Sequence, residues 1–189
     1  MFSADSVEVK GTSKSKYQSF GVSEKVGITD IVVIVNEQWG TKYLVLNTIN
    51  EDNQVGQSKR LSLKTEKSEG AQMSAWDVSA KYLINVIQST TGKSVDEAKA
   101  VLKASTVEDL VKNLTTEVVG KTGRGLFSRR EYNAEGKFAV ELYRMEPVGG
   151  TYLKYDPSNQ YLNVPFKGEG SAAPKESIPA GEAGDKLPF

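Results

Sequence analysis

The hydrophobic period of this chain changes twice, from strand-like to helical and back, and any fold must accommodate both changes. Phe20 to Val35 mixes apolar and polar residues in strand fashion, with Val26, Ile28, Ile31, Val33 and Val35 carrying the pattern. Gln38-Trp39-Gly40 interrupts it. Thr41 to Ile49 then reads as a second strand, with Leu44 and Leu46 on one face and Tyr43, Val45 and Asn47 on the other. Glu51-Asp52-Asn53-Gln54 is a turn, and Lys59 to Lys64 gives a third strand with Leu61 and Leu63 inward and Arg60, Ser62 and Lys64 outward. These three strands form a half-buried antiparallel meander.

The helical period occupies the middle. Met73, Trp76, Ala80, Leu83, Ile84 and Ile87 share one face of a helix over Ala71 to Ser89, which makes Trp76 a core residue. Ser94 with Glu97 forms a capping box before Val95, Ala98, Val101 and Leu102. Thr106 with Asp109 opens a third helix carrying Leu110 and Leu114. Strands return at Gly125 to Tyr132 and Lys137 to Met145, around the turn Asn133-Ala134-Glu135-Gly136, and Tyr152 to Tyr155 with Tyr161 to Phe166 supply one further short strand or pair. The fold class is therefore α+β, mainly β: an OB-like five-stranded antiparallel barrel over residues 19–167, with a helical insertion at about 71–116, a pattern that other small β-barrels with a helical insertion share.

The ends differ from this body. Residues 1–18 are rich in Ser and Lys and aperiodic, a flexible basic arm holding Lys10, Lys14, Lys16 and Tyr17. Residues 168–189 are mostly Gly, Ala, Pro, Ser and scattered charge, with no aromatic before Phe189, so the tail has little to bury and is expected to be disordered. It ends on Asp185-Lys186-Leu187-Pro188-Phe189, which sets a buriable ring beside the terminal carboxylate. That combination suits a partner pocket pairing a basic group with a hydrophobic slot.

Composition narrows the chemistry. The 189 residues include no Cys and no His, which removes disulfides, thiolate zinc sites, Cys nucleophiles and His acid–base catalysis. The start lacks a signal-peptide layout and no apolar run reaches membrane-spanning length, so a cytoplasmic protein without membrane contact is expected. The charges balance at 24 basic against 24 acidic, and without the tail the body holds 22 against 20. A body so nearly neutral meets nucleic acid through a local groove and not through bulk charge. Gly92-Lys93-Ser94 and Gly120-Lys121-Thr122 share the end of a phosphate-binding loop, but Ile87 and Thr115 stand where its first glycine belongs. Asp30, Glu37, Asp52 and Asp156 are scattered through turns, a pattern that backbone preference explains without a metal. No enzyme activity, cofactor or metal is expected.

Single-strand binding needs flat rings for stacking and cations that follow phosphates. Trp39, Lys42 and Tyr43 supply both on the second strand, and Arg60 and Lys64 share an outward face on the third. Lys121, Arg124, Phe127, Arg129 and Arg130 form the densest basic stretch, whose glycines let a ligand approach the backbone, and this stretch is the first choice for phosphate contact. The alternative is a solvated hairpin whose arginines pair with Glu131, Glu135 and Glu141.

The terminal Asp185, Leu187, Pro188 and Phe189 resemble the tip of bacterial single-stranded-DNA-binding proteins, although Lys175 and Lys186 offset the acids here. Gly21-Val22-Ser23-Glu24-Lys25-Val26, Tyr43-Leu44-Val45-Leu46 and Tyr161-Leu162-Asn163-Val164-Pro165, in that order around the helix, resemble phage-encoded OB-fold single-stranded-DNA-binding proteins. The resemblance implies sequence-tolerant coating of single-stranded DNA, with RNA as the other single-stranded candidate, in phage replication, recombination or repair. It also implies a tail tip that recruits replication or recombination proteins. A protein-interaction adaptor on the same barrel and a carboxylate–metal enzyme are the rivals.

Overall fold

The computed structural model describes residues 16–132 and 137–165. The expected tip residues Asp185, Leu187, Pro188 and Phe189, most of the basic arm and the turn at Asn133 to Gly136 lie outside them. The chain forms β1 (Gly21–Asn36), β2 (Thr41–Asn50), β3 (Val55–Ser58), β4 (Leu61–Ser62), α1 (Ala75–Thr91), α2 (Val95–Val101), α3 (Val107–Val118), β5 (Thr122–Glu131), β6 (Phe138–Glu146) and β7 (Asn163–Val164). Among the described residues no helix is long and apolar enough to cross a membrane.

The sheet has seven strands and is mixed, a correction to the five antiparallel strands expected. β1 pairs with β2 and β5, β2 with β3, and β5 with β6, all antiparallel, while β3 pairs with β6 in parallel. These pairings return to β1 and close a barrel-like ring of β1, β2, β3, β6 and β5. β4 hangs on β2 through Tyr43↔Ser62 and Leu44↔Leu61, and β7 lies parallel to β5. The expected third strand over Lys59 to Lys64 is thus reduced to Leu61–Ser62, and the ring strand is Val55–Ser58 instead. Val55–Ser58 holds a single large apolar residue, so periodicity gives no signal there; long-range pairing makes it a strand.

One hydrophobic cluster joins the ring to the helices. Val26, Ile28, Leu44, Leu46, Phe127, Leu142 and Met145 from the strands meet Leu83, Val86 and Ile87 of α1 and Leu114 and Val118 of α3. Trp76 packs against this cluster part-buried, as a core residue should. Caps fix where the helices begin. The Ser94–Glu97 box and the Thr106 cap hold as expected, but α1 starts at Ala75 and not Ala71, because Ser74 and Asp77 form a capping box of their own.

α1 is docked by polar contacts where β3 runs out. The last pairing of β3 with β6 is Ser58↔Leu142, and beyond it Asn85 of α1 takes over: its Nδ2 donates to the Met145 carbonyl at 3.1 Å and its Oδ1 accepts from the Met145 N–H at 3.0 Å. The Ser89 hydroxyl donates to the same carbonyl, and the buried Tyr82 hydroxyl donates to the Leu142 carbonyl at 2.9 Å. Side chains of α1 replace the missing strand, so backbone groups that would be orphaned on burial are satisfied. A smaller cluster of Leu126, Leu153 and Leu162, with Val22 and Tyr155, covers part of the outer face of the ring.

Candidate nucleic-acid interface

The β1–β2 hairpin turns at Asn36 to Thr41: the Asn36 side chain accepts from the Gln38 N–H, its carbonyl accepts from the Trp39 N–H, and Gly40 takes the left-handed φ of 61°. Trp39 sits on this turn with 73% of its surface exposed. Tyr43 is half-buried on β2, in register with Ile34 on one side and Ser62 on the other. Residues alternate faces along a strand, so Ser62, Arg60 and Lys64 share the outward face with Tyr43, while Leu61 and Leu63 turn to the core. Arg60 and Lys64 are exposed, and among the described residues no salt bridge joins either to an acid.

Lys42 belongs to the opposite face. It lines a separate concavity with Val33 and Val35 of β1 and Val111 and Lys112 of α3. The outward strip therefore consists of Tyr43, Arg60 and Lys64, without Lys42, and exposed Trp39 stands on the adjoining turn.

The basic stretch after Gly120 is organised differently. Arg124 is a structural residue: its Nε donates to Glu24 at 2.8 Å, and its Nη1 donates to the buried Glu146 and, at 3.1 Å, to the Leu153 carbonyl. Donating hydrogen bonds to Glu24 and Glu146 pushes its pKa up, which keeps the guanidinium charged. Glu146 in turn accepts from the Tyr152 and Leu153 N–H groups, so the pair ties β5 and β6 to the segment after β6. Arg129 donates to Glu131 at 2.7 Å and lies 4.5 Å from the centroid of the Phe138 ring. Arg130 is exposed, 3.9 Å from Glu141. The ion pairing of Arg129 and Arg130 follows the solvated-hairpin alternative.

Phe127 requires correction as a binding residue. It is 0% exposed in the main cluster and has no face for a base. Alternation along β5 sets Phe127 on the core side with the main cluster, its ring close to Gly125, and Leu126 on the other side with Leu153 and Leu162. Lys121 is exposed beside Gly120, away from the β2–β4 strip in sequence and pairing. Among the described residues, no three acidic side chains gather in a way that would hold a metal ion.

One acid organises the ring from the turn after β2. Glu51 accepts from the Ser23 hydroxyl at 3.0 Å and from the Lys25 and Glu24 N–H groups at 3.1 and 3.3 Å. These donors fall in the β1 bulge between Ser23 and Val26, where pairing with β5 lapses. Partial burial raises the Glu51 pKa, but the hydrogen bonds outweigh it and hold the carboxyl below its ordinary value.

The sequence matches no model of a known protein family, and it matches no curated protein.

Proposed function

We propose that this protein binds single-stranded nucleic acid with little sequence preference, on the outward face of β2 and β4. The observation that carries the reading is the Tyr43↔Ser62 pairing, which lines up an aromatic ring with two cations, Arg60 and Lys64, that have no acid partner among the described residues. Exposed Trp39 adds a second stacking surface on the adjoining turn. Rings and unpaired cations on one face match what sequence-tolerant single-strand binding requires. The ring order β1-β2-β3-β6-β5, its one parallel closure between β3 and β6, and helices inserted before β5 support an OB-like barrel. A place in phage replication, recombination or repair, and recruitment of partner proteins through Leu187-Pro188-Phe189, rest on the sequence resemblance.

Competition between labelled oligo(dT) and unlabelled strands tests this. Unlabelled single strands should displace the probe well below the concentration at which matched duplex does; equal displacement by duplex argues against the reading.

A second reading has its own support. Val33 and Val35 are exposed on the hairpin that carries Trp39 and share one face with Val107 and Val111 of α3, an apolar concavity of the kind that protein interfaces use. An adaptor that docks a protein there would show no oligonucleotide binding at low salt.

A further inference from the structure

The ring is thinnest where β3 meets β6. Only Gln57↔Glu141 and Ser58↔Leu142 join the two strands, and ahead of them the segment before β1 fills in: the Val55 N–H donates to the Lys16 carbonyl at 3.0 Å and the Gln18 N–H donates to the Val55 carbonyl at 2.9 Å. A cleft of about 810 Å3 lies at this junction. Tyr17, Phe20 and Phe138 line it and are 68%, 40% and 42% exposed. Phe20 meets Phe138 edge-on at 5.9 Å, and the Arg129 guanidinium stacks over Phe138.

Two other lining residues, Gln18 and Thr48, are only 8% and 2% exposed, and each holds a buried polar atom without a partner among the described residues. The Gln18 amide donates to the Ser19 carbonyl, but among the described residues its Oε1 receives no hydrogen bond and the Thr48 hydroxyl neither donates nor accepts one. They adjoin each other at Gly56, where a Cβ would come within 2.9 Å of Thr48 Oγ1 and 3.1 Å of Gln18 Cβ. Leaving such groups unpaired on burial is costly, and a ligand that bonds them recovers the loss. The terminal torsion of a glutamine is broad, so a modest rotation turns the Gln18 amide to the cleft.

The cleft lies along β2 from the proposed binding face: Asn47 lines it, ~14 Å along the strand from Tyr43 with the buried Val45 between them, and Thr48 enters it from the other side of the strand. We infer that the cleft is a pocket for one nucleobase of a bound single strand, its ring held against Phe20 and Phe138 and its edge hydrogen-bonded by Gln18 and Thr48. A base supplies both needs at once: a flat face for the rings, and an N–H donor beside an acceptor for the carboxamide oxygen and the hydroxyl. The inference rests on the single-strand reading and adds to it one position along the strand where a base is gripped by its edge.

The test uses the full chain and a set of short oligo(dT) strands, each with one abasic site at a different position. The unmodified protein should lose about tenfold in affinity at one position and much less elsewhere. Thr48→Val and Phe138→Leu should each shrink that positional loss. Thr48→Val should melt no lower than the unmodified protein, because it removes an unpaired hydroxyl at nearly constant shape. Phe138 is partly exposed, so its variant keeps the test open if the Thr48 change disturbs folding. Strong binding of intact oligo(dT) with an equal loss at every position, unchanged in both variants, overturns the pocket and leaves single-strand binding standing. No binding of any strand overturns both.

Discussion

Tyr43 of β2 stands in register with Ser62 of β4, and that pairing sets Arg60 and Lys64 to either side of the tyrosine along one outward face. If the strip stacks bases, Trp39→Ala should weaken oligo(dT) binding by about 1–3 kcal/mol. Trp39 is exposed on a turn, so its loss should leave the melting temperature nearly unchanged. Anisotropy titrations paired with thermal melts check both statements. Tyr43→Leu should behave alike in binding, with a small loss in stability because Tyr43 is half-buried.

Arg60→Ala with Lys64→Ala should flatten the salt dependence of binding. Each lost phosphate contact removes about 0.7 from the log–log slope for a single strand. The double change Arg129→Ala and Arg130→Ala should alter the slope less, since Arg129 is bonded to Glu131 and Arg130 lies near Glu141. Titrations at several salt concentrations compare the two double variants.

Arg124→Ala is expected to damage the fold and not the slope. It strips the buried Glu146 of its guanidinium and leaves the carboxylate to the Tyr152 and Leu153 N–H groups, at a cost of about 2 kcal/mol or more. Urea unfolding measures this directly, and Arg124→Lys should recover little, because one ammonium cannot reproduce bonds to Glu24, Glu146 and the Leu153 carbonyl together.

Glu51 gives a pH signature. Its carboxyl is held below the ordinary value of 4.5, so the charged form is favoured by folding. The stabilisation is complete above that ordinary value and is lost as pH falls through the lower folded one. Glu51→Gln should therefore reduce stability near neutrality and narrow the gap to the unmodified protein in acid. Equilibrium unfolding of both proteins across the acid range decides it; a gap that stays constant with pH removes the role given to the carboxylate.

Much of this architecture is local and hence legible in the residues. Ser94 with Glu97 and Thr106 with Asp109 cap their helices as their spacing implies, and the Asn36 to Thr41 turn falls where Trp39-Gly40 interrupts the strand pattern. The Ser74–Asp77 box was harder to see, because Met73 just before it continues the apolar period and draws the helix start too early. What sequence cannot carry is long-range pairing. The strand at Val55–Ser58 exists because β2 and β6 flank it, and the ring closes through β1 and β5, about a hundred residues apart. The same limit applies to the interface. Arg124 reads as a free cation until Glu24 and Glu146 arrive from distant strands, and Phe127 reads as surface until the closed ring makes its side of β5 the core. Tyr43, Arg60 and Lys64 were legible because strand alternation alone places them outward.

The central claim is most directly tested by tryptophan fluorescence in a Trp76→Phe variant, which leaves Trp39 as the sole reporter and replaces a part-buried ring by one that fits the same cluster. Oligo(dT) should change the Trp39 emission saturably at low salt, with affinity falling as salt rises, and matched duplex should bind at least about tenfold more weakly. An emission that no oligonucleotide alters at low salt, together with no binding by anisotropy, or duplex affinity equal to that for oligo(dT), would contradict single-strand binding on this face.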